Sequence, residues 1–324
     1  MKKNIAIIMG GFSSEVNISL KSGDVVYNNL DTQKYNPFQV HILKEKWVVV
    51  DENGEYPIDK NDFSAVINDE KITFDCVFNA IHGTPGEDGK ILAYFDLIGM
   101  KHTSAPFYQM ALTFNKRDCL SVVKHYGIPA ANAVYLNKGD VINTDAIIKK
   151  TGLPCFIKPN NAGSSFGISK AYNAEEIIAG IENAYKEDSE ILIESFLDGT
   201  EVSVGVIQYQ NEIKVLPITE ITTENDFFDY EAKYQGKSQE ITPARISEEI
   251  AEKVRVVAKK VYQILNMSGF SRSEFILVNN EPHFLEMNTV PGLTEESILP
   301  QQANHANISL SELFDNAIQM ALNK

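Results

Sequence analysis

The sequence predicts an α/β protein of two or three domains, because strands and Gly-rich loops alternate with helix patterns along 324 residues. The chain opens with an apolar strand, Asn4–Met9, followed by the tight loop GGFSS and a helix from about Glu15 to Leu30. A second Gly-rich loop, HGTPGEDG, follows a strand near Asp75–Ala80. Such loops at the carboxyl ends of strands are where open α/β sheets bind ligands, and a helix N-terminus there suits an anion. We therefore expect an N-terminal domain with a doubly wound sheet.

Composition and charge narrow the function classes. The chain carries 29 basic and 44 acidic residues, a net charge of -15, so a nucleic acid duplex or an anionic membrane surface would be a poor partner. A nucleotide remains possible, because a metal ion and a few lysines can neutralise its phosphates. The first apolar run is too short for a signal peptide, and no apolar run reaches about 18 residues. We expect a cytoplasmic protein that binds neither nucleic acid nor membrane.

The first domain offers two candidate ligand contacts. Ser14 is expected to cap the first helix, and Glu15 either favours the helix dipole or faces a ligand. His82 begins the second Gly-rich loop, although a lone histidine in a loop is more often solvated or structural. A change in composition at Thr103–Pro106 suggests the end of this domain. Further strands are predicted at Phe38–Leu43 and Trp47–Val50.

The next stretch has the residues of a phosphate-binding site. A helix is expected from the sequence TFNK, which ends at Lys116, to about Tyr126. Lys158 ends a β run and precedes the loop NNAGSSFG, which leads into a strand through Ile168–Ala171. A lysine beside such a loop can hold polyphosphate while backbone N–H groups close over it. The loop is not a Walker A sequence, and the alternative is a β-hairpin with an exposed lysine.

Helix and strand patterns continue into the last third of the chain. An amphipathic helix is predicted at Glu175–Glu187 and a strand at Ile191–Leu197. The end of that strand could bond a purine edge, and Glu201 could bond ribose hydroxyls. Thr219–Ile241 is polar and lacks periodicity, which is typical of a lid or a disordered segment. The remaining predicted helices are one capped by Ser247 and one at Leu310–Leu322.

The segment Gly269–Ser297 is the centre of the predicted site. Its sequence, GFSRSEFILVNNEPHFLEMNTVPGLTEES, is typical of two short strands joined by a turn at Asn279–Pro282. A turn centred near Asn280 or Glu281 makes this segment a hairpin whose two strands share one polar face.

Alternation along the two strands brings charged side chains together. Arg272 and Glu274 share a face, and so do Glu286 and Asn288. The turn would place Glu274 across from Glu286 and Asn288. Two carboxylates this close repel each other and require a cation, and hard oxygen ligands suit Mg²⁺ or Mn²⁺. The alternative for Glu-x-Asn is a solvated strand face.

Six motifs together resemble those of the D-alanine–D-alanine ligases, a family of the ATP-grasp superfamily. In chain order they are GGFSSE, HGTPGEDG, IKP with AGSSFG, EAKY, GFSRSEF and FLEMNTVPGLTEES. The resemblance covers nearly the whole chain. It implies a three-domain ATP-grasp fold, which we expect at residues 1–103, 104–190 and 191–324, with a lid loop at 219–241. It also implies ligation of two D-alanines for peptidoglycan precursors, ATP with two Mg²⁺ or Mn²⁺ ions, and a homodimer.

The same resemblance implies roles for individual residues. ATP contacts fall on Lys116, Lys158, Glu194, Phe196, Leu197 and Glu201. Metal ligands fall on Glu274, Glu286 and Asn288. The oxyanion contacts fall on Arg272 and the backbone N–H of Gly292. Contacts to the first D-alanine fall on Glu15 and His82, and those to the carboxylate of the second on Lys233 and Ser297. A hydrogen-bonded set falls on Glu15, Ser164 and Tyr234.

Three positions depart from the family pattern, and two rival functions remain. Glu274 stands where Asp is usual, Asn115 where Asp is common, and Leu92 where Gln is frequent. One rival is a ligase that joins D-alanine to D-lactate or D-serine; Tyr234 favours D-alanine, because the resemblance implies His there in ligases that take D-lactate. The other rival is a nucleotide-binding regulator without catalysis, which Glu274 would support and Arg272 opposes.

Overall fold

The computed structural model describes residues 2–163, 166–223 and 238–323. The strands of these residues gather into three sheets, which agrees with the predicted α/β class. Ser164, Lys233 and Tyr234 lie outside the described residues, as does most of the predicted lid. Among the helices of the described ranges, none is long and apolar enough to cross a membrane.

The first sheet has seven strands with a parallel centre. Its strands are β1 (Lys3–Gly10), β2 (Tyr35–Ile42), β3 (Trp47–Asp51), β4 (Gly54–Asp59), β5 (Ser64–Ile67), β6 (Glu70–Ile72) and β7 (Cys76–Asn79). Their order is β6-β5-β4-β3-β2-β1-β7, and β1 pairs in parallel with both β2 and β7. The antiparallel extension β4–β6 was not predicted. Strands β4 and β6 are largely exposed, and β5 has only four residues, so none of the three gives the longer apolar run that identifies a buried strand.

Helices cover the sheets and position several candidate residues. In the described ranges they are α1 (Val16–Asn29), α2 (Lys90–Leu97), α3 (Phe107–Phe114), α4 (Lys116–His125), α5 (Thr144–Thr151), α6 (Ala174–Ala184), α7 (Glu248–Ile264), α8 (Ile298–His305) and α9 (Leu310–Leu322). The expected cap at Ser14 is wrong, because Glu15 is the N-cap of α1 and makes no side-chain capping bond. Ser247 caps α7 as predicted, since its side chain accepts a hydrogen bond from the Ile250 N–H.

The second sheet has four strands and its own core. The strands are β8 (Ala133–Asn137), β9 (Cys155–Pro159), β10 (Ser169–Ala171) and β11 (Glu190–Ser195), in the order β10-β9-β11-β8. Helices α5 and α6 bury one face of this sheet around Ile157 and Ile181. The predicted division after residue 190 needs correction, because β11 pairs with β8 and β9 and cannot be separated from them.

The third sheet contains the predicted hairpin and both ends of the predicted lid. Its strands are β12 (Thr200–Tyr209), β13 (Glu212–Val215), β14 (Thr219–Thr223), β15 (Ser238–Ile241), β16 (Phe270–Val278) and β17 (Glu281–Asn288). The order is β15-β14-β12-β16-β17, with β13 also paired to β12. The lid bounds 219–241 therefore need correction, because β14 and β15 pair with each other as strands. Their polar residues are fixed by cross-strand bonds, which periodicity does not detect.

One continuous core joins the first and third sheets. It contains Ile8 of β1, Phe275 of β16 and Phe284 of β17, and it includes Leu120 of α4. Helices α3 and α4 pack against β17, so the segment 107–125 shares its core with the third sheet. This packing brings the ends of β1 and β7, the start of α4 and the polar face of the hairpin to one cleft.

Candidate active site

A two-residue turn closes the β16–β17 hairpin. Asn279 and Asn280 have φ values of 51° and 64°, and the flanking residues Val278 and Glu281 pair directly. Positive φ at both central positions is the geometry that suits tight hairpins, and Asn tolerates it better than most residues. The turn lies within the predicted Asn279–Pro282, but it is centred between Asn279 and Asn280 and not near Asn280 or Glu281, because Glu281 and Pro282 already belong to β17.

A β-bulge decides which side chains of the hairpin face each other. The ladder pairs Phe275 with Phe284, and one step further it pairs Glu274 with Glu286. The shift adds one residue, Leu285, to β17. If the same residues formed a regular ladder without the bulge, Leu285 would lie opposite Glu274, and Glu286 would lie on the core face with Phe284, because a strand alternates its side chains. The bulge thus places the two carboxylates face to face while the phenylalanine pair stays in the core.

Arg272 borders the carboxylate pair. It lies opposite Asn288, and its Nη1 donates to Glu274 Oε1 at 2.5 Å and to Ser203 Oγ at 3.0 Å. Burial alone lowers the pKa of Arg272, but the Glu274 and Glu286 carboxylates raise it above its ordinary value. The guanidinium is a fixed positive charge, and it offsets part of the repulsion between the two carboxylates.

Two lysines stand on the other side of the hairpin face. Lys116, the first residue of α4, places Nζ 3.5 Å from Glu286 Oε2 and donates to the Ala162 carbonyl at 2.6 Å. Lys158, on β9, pairs with Glu194 of β11 at 2.8 Å. Burial by itself lowers the pKa of Lys158, but the Glu194 carboxylate outweighs it and raises that pKa. Lys158 is thus cationic, and Lys116 bonds the backbone beside Gly163.

Aromatic rings lie beside Lys158 at the edge of the second sheet. The Phe156 and Phe196 ring centroids are 6.2 Å apart, and the Lys170 ammonium lies 4.5 Å from the Phe196 centroid. Leu197 follows Phe196 directly after β11, and Glu201 begins the adjoining strand of the third sheet. These residues form an apolar edge next to a buried cation, an arrangement that suits a heterocyclic base followed by phosphates.

A cavity of about 510 Å³ opens on the first-domain side of the hairpin. It brings together residues predicted from distant parts of the sequence. These are Glu15, His82, Arg272, Glu286, Asn288, Gly292 and Ser297. The predicted ATP contacts Lys116, Lys158, Glu194, Phe196, Leu197 and Glu201 do not line this cavity. Glu286 connects the two groups, since it lines the cavity and pairs with Lys116.

The Glu15 carboxylate faces the cavity and the loop that contains Gly163, which we call the phosphate loop. It is only 8% exposed, and a Cβ added to Gly163 would lie 2.9 Å from both of its carboxylate oxygens. Glycine at position 163 therefore permits this close approach. Of the two interpretations offered by the sequence, a ligand-facing Glu15 agrees better with this geometry than a capping role does.

His82 is buried next to Glu15 as a neutral ring. Its Nε2 lies 3.0 Å from Ser22 Oγ, and that oxygen also accepts from the Leu293 N–H at 3.3 Å. Burial lowers the pKa of His82, and the charge of Glu15 opposes that shift only in part. His82 therefore acts as a hydrogen-bonding group rather than a cation at neutral pH.

Glu87 is a member of the site that the sequence analysis missed. Its two carboxylate oxygens accept from the Gly83 N–H at 3.1 Å and from the Thr289 N–H at 3.3 Å, so it joins the first domain to the end of the hairpin. Burial, with the charge of Glu15, raises the pKa of Glu87 to about 7. The only sequence signal was its position within HGTPGEDG, where a surface carboxylate is equally common.

Gly292 and Ser297 form the far wall of the cavity. A Cβ on Gly292 would lie 2.7 Å from Ser297 Oγ, so only glycine leaves its backbone open here. The Ser297 hydroxyl also lies 2.8 Å from Thr294 Oγ1. Ser297 is the N-cap of α8 but makes no side-chain capping bond, so its hydroxyl and the helix N-terminus both remain directed to the cavity region.

Comparison with known proteins gives consistent matches over the whole chain. The family models described as D-ala D-ala ligase N-terminus and D-ala D-ala ligase C-terminus match residues 4–105 and 122–319. A protein named D-alanine--D-alanine ligase from Flavobacterium johnsoniae is 69% identical over 99% of this chain and 99% of its own length.

Solved structures agree in fold. The VanG D-Ala:D-Ser ligase from Enterococcus faecalis has a TM-score of 0.86 at 30% identity and covers 99% of this chain and 100% of its own. A D-alanine--D-Alanine ligase from Bacillus anthracis complexed with ATP has a TM-score of 0.80 at 27% identity and covers 99% and 98%. Together with the family models and the cleft described above, these matches lead to one conclusion: the chain belongs to the D-alanine–D-alanine ligase family.

Proposed function

We propose that this chain joins two D-alanines into D-alanyl-D-alanine and uses ATP to activate the first. The observation that supports this most directly is the carboxylate pair Glu274 and Glu286, bordered by Arg272 on the cavity side and by Lys116 on the other. This arrangement can bind a polyphosphate on the Lys116 side of the hairpin face and an amino acid on the Arg272 side. The 69% identical relative is named D-alanine--D-alanine ligase, which supports the same proposal.

ATP is proposed to lie between the second and third sheets. Lys116 and Lys158 bind its phosphates, and the edge formed by Glu194, Phe196 and Leu197 receives the adenine. Glu201 bonds the ribose. The Lys158–Glu194 ion pair supports this, because it holds a cation at the base of the phosphate loop before any ligand is bound.

Glu274, Glu286 and Asn288 would hold Mg²⁺ or Mn²⁺. Their oxygen atoms are the donors that these ions prefer, and both carboxylates already face a cationic side chain here, as expected of ligands that require positive charge. The ions would neutralise charge on the transferring phosphoryl group. The longer side chain of Glu274, where the family has Asp, keeps the donor type.

D-alanine is proposed to occupy the cavity in two positions. Glu15 receives the ammonium of the first molecule, with His82 beside it, and the wall at Ser297 receives the carboxylate of the second. Lys233 is proposed to bind the same carboxylate as Ser297. Tyr234 and Ser164 are proposed to form hydrogen bonds with Glu15. Lys233, Tyr234 and Ser164 lie outside the described ranges.

The proposed reaction has two steps, because the carboxylate of the first D-alanine must be activated before an amine can attack it. A carboxylate oxygen of the first D-alanine attacks the γ-phosphorus of ATP, ADP leaves, and an acyl phosphate forms. The free amine of the second D-alanine then attacks the acyl carbon, and phosphate leaves with the original carboxylate oxygen. Arg272 and the Gly292 N–H stabilise the oxyanion between these steps, and each such donor is worth about 3–4 kcal/mol in other enzymes.

Phosphate release from ATP and Mg²⁺ tests this function. We expect release with D-alanine and little with L-alanine, D-lactate or D-serine as the only added acid. An equal mixture of D-alanine and D-serine should yield mainly D-alanyl-D-alanine. D-alanyl-D-serine as the main dipeptide would instead favour the activity in the name of the VanG neighbour. No release with any of these acids would favour a regulator that binds nucleotide without catalysis. We further propose that the protein is cytoplasmic and forms a homodimer. Gel filtration with light scattering measures the mass of the assembly and so tests the homodimer.

A further inference from the structure

One edge of β12 changes partner in the middle of the strand. Its residues 201–203 pair with β14, and its residues 206–209 pair with β13. The backbone between them faces a gap in the ladder, where a Ser203 carbonyl and a Gly205 N–H need partners. A buried peptide group left without a partner is costly, so something must fill this gap.

The side chain of Gln302, on α8, fills it. Oε1 accepts from the Gly205 N–H at 2.9 Å, and Nε2 donates to the Ser203 carbonyl at 2.9 Å. The amide supplies one donor and one acceptor, as a peptide group of a neighbouring strand would. Gln302 is fully buried, at 0% exposure.

The helix can approach this closely because residue 205 is glycine. A Cβ on Gly205 would lie 2.7 Å from Gln302 Oε1 and 2.6 Å from Leu299 Cδ1. The second Nε2 hydrogen of Gln302 is donated to Thr219 Oγ1 at 3.0 Å, which fixes α8 to the start of β14 as well. All the hydrogen-bonding capacity of the amide nitrogen is thus used.

The same segment of β12 lies directly behind the proposed chemistry. Ser203 pairs with Glu274 across the sheet, and Gly205 pairs with Arg272. Ser203 Oγ also accepts from Arg272 Nη1 at 3.0 Å. At the other end of α8, the N-cap is Ser297 in the cavity wall. Gln302 is therefore the link between the wall at Ser297 and the strand that supports Arg272.

We propose that Gln302 is a positioning residue for the second D-alanine: it fixes the wall at Ser297 relative to Arg272 through the β12 gap. This rests on the proposed function. The amide touches no reactant. It acts by setting the distance between the group that holds the acceptor and the group that stabilises the oxyanion.

The test is steady-state kinetics of Gln302→Leu, which keeps the bulk and removes the hydrogen bonds. We expect the KM of the acceptor to rise about 10-fold and kcat to fall, because displacements of about 1 Å at a reacting group can cost that much or more. The KM of ATP should change by less than about 2-fold, since its proposed contacts, apart from Glu201 on β12, lie on or beside α4, β9 and β11. Asn304→Leu, an exposed amide on the same helix, is the matched control and should match wild type.

Gln302→Glu separates positioning from general stability. A protonated carboxyl can donate to the Ser203 carbonyl and accept from Gly205, whereas the ionised form cannot donate. The acceptor KM of this variant should approach the wild-type value at low pH and depart from it as pH rises, a profile absent from wild type. Equal KM values in wild type and Gln302→Leu, with only a lower Tm, would overturn the proposal.

The comparison uses whichever acceptor the wild type accepts. Wild-type activity with D-serine or D-lactate in place of D-alanine would refute the proposed function and leave the role of Gln302 to be decided by the same KM comparison. Absence of wild-type activity with every acceptor would refute both.

Discussion

Single side chains set the charge balance of the cleft. Each carboxylate of the central pair is matched by a cation: Glu274 by Arg272 and Glu286 by Lys116. Removing one member leaves a buried or half-buried charge without its partner, which lowers stability as well as function. The pair can therefore be tested by substitutions that preserve volume.

We expect Glu286→Gln and Asn288→Ala to abolish turnover without unfolding the protein, because they remove proposed metal ligands and little core volume. Glu274→Asp should stay active, since it keeps the carboxylate and restores the usual family residue. Phosphate release measures the effect, and a thermal melt controls for folding. Full activity in Glu274→Ala would contradict the assignment of that residue as a ligand.

Glu87 makes stability depend on pH. Its folded pKa is raised to about 7 from 4.5, so between these values the folded protein keeps a proton that the unfolded chain has released. Stability should fall as pH rises through this window, and the loss should be complete above it, at most about 3 kcal/mol. Glu87→Gln should flatten the slope between pH 5 and pH 8 in urea unfolding. An unchanged slope would show that Glu87 is not the titrating group.

Short elements place the residues that matter. The bulge at Leu285 is the clearest case, because it accommodates one extra residue and so keeps Glu286 opposite Glu274. Helix α8 likewise positions the far wall of the cavity, because Ser297 lies at its start and the Gln302 side chain fills the gap beside β12. In both cases a local irregularity of the sheet, not its regular part, aims the functional side chain.

Deletion of Leu285 removes the bulge but leaves Glu286 opposite Glu274, because Glu286 then follows Phe284 directly and a strand alternates its side chains. The deletion variant should therefore fold and keep measurable activity. Leu285→Met keeps the backbone count and an apolar side chain, so it should stay within a few-fold of wild type. Phosphate release compares the two variants, with circular dichroism as the folding check. A deletion variant that folds but has no activity, while Leu285→Met is active, would contradict this register.

Across the molecule, the sequence predicted the parallel centre of the first sheet, the hairpin and the family. Periodicity identified buried strands such as β1 and amphipathic helices such as α7. It missed β4–β6, because β4 and β6 are largely exposed and β5 has only four residues. Its division after residue 190 separated β11 from β8 and β9, because pairing partners are not visible in a single strand.

The site was predictable only where a residue belongs to a motif. Glu274, Glu286 and Arg272 stand together in the hairpin, so alternation suggested their meeting, but the bulge that makes it possible leaves no trace in the sequence. Glu87 and Gln302 were missed because their importance comes from partners far along the chain, Thr289 for one and Ser203 for the other. Such contacts depend on the packing of separate sheets.

The most direct test of the central claim uses D-alanine with both carboxylate oxygens labelled as ¹⁸O. Incubated with ATP and Mg²⁺, the enzyme should form D-alanyl-D-alanine, and each phosphate released should carry one ¹⁸O, because the acyl phosphate passes one carboxylate oxygen to the leaving phosphate. Mass spectrometry of both products reads this in one experiment. Unlabelled phosphate, or phosphate release without dipeptide, would contradict the account.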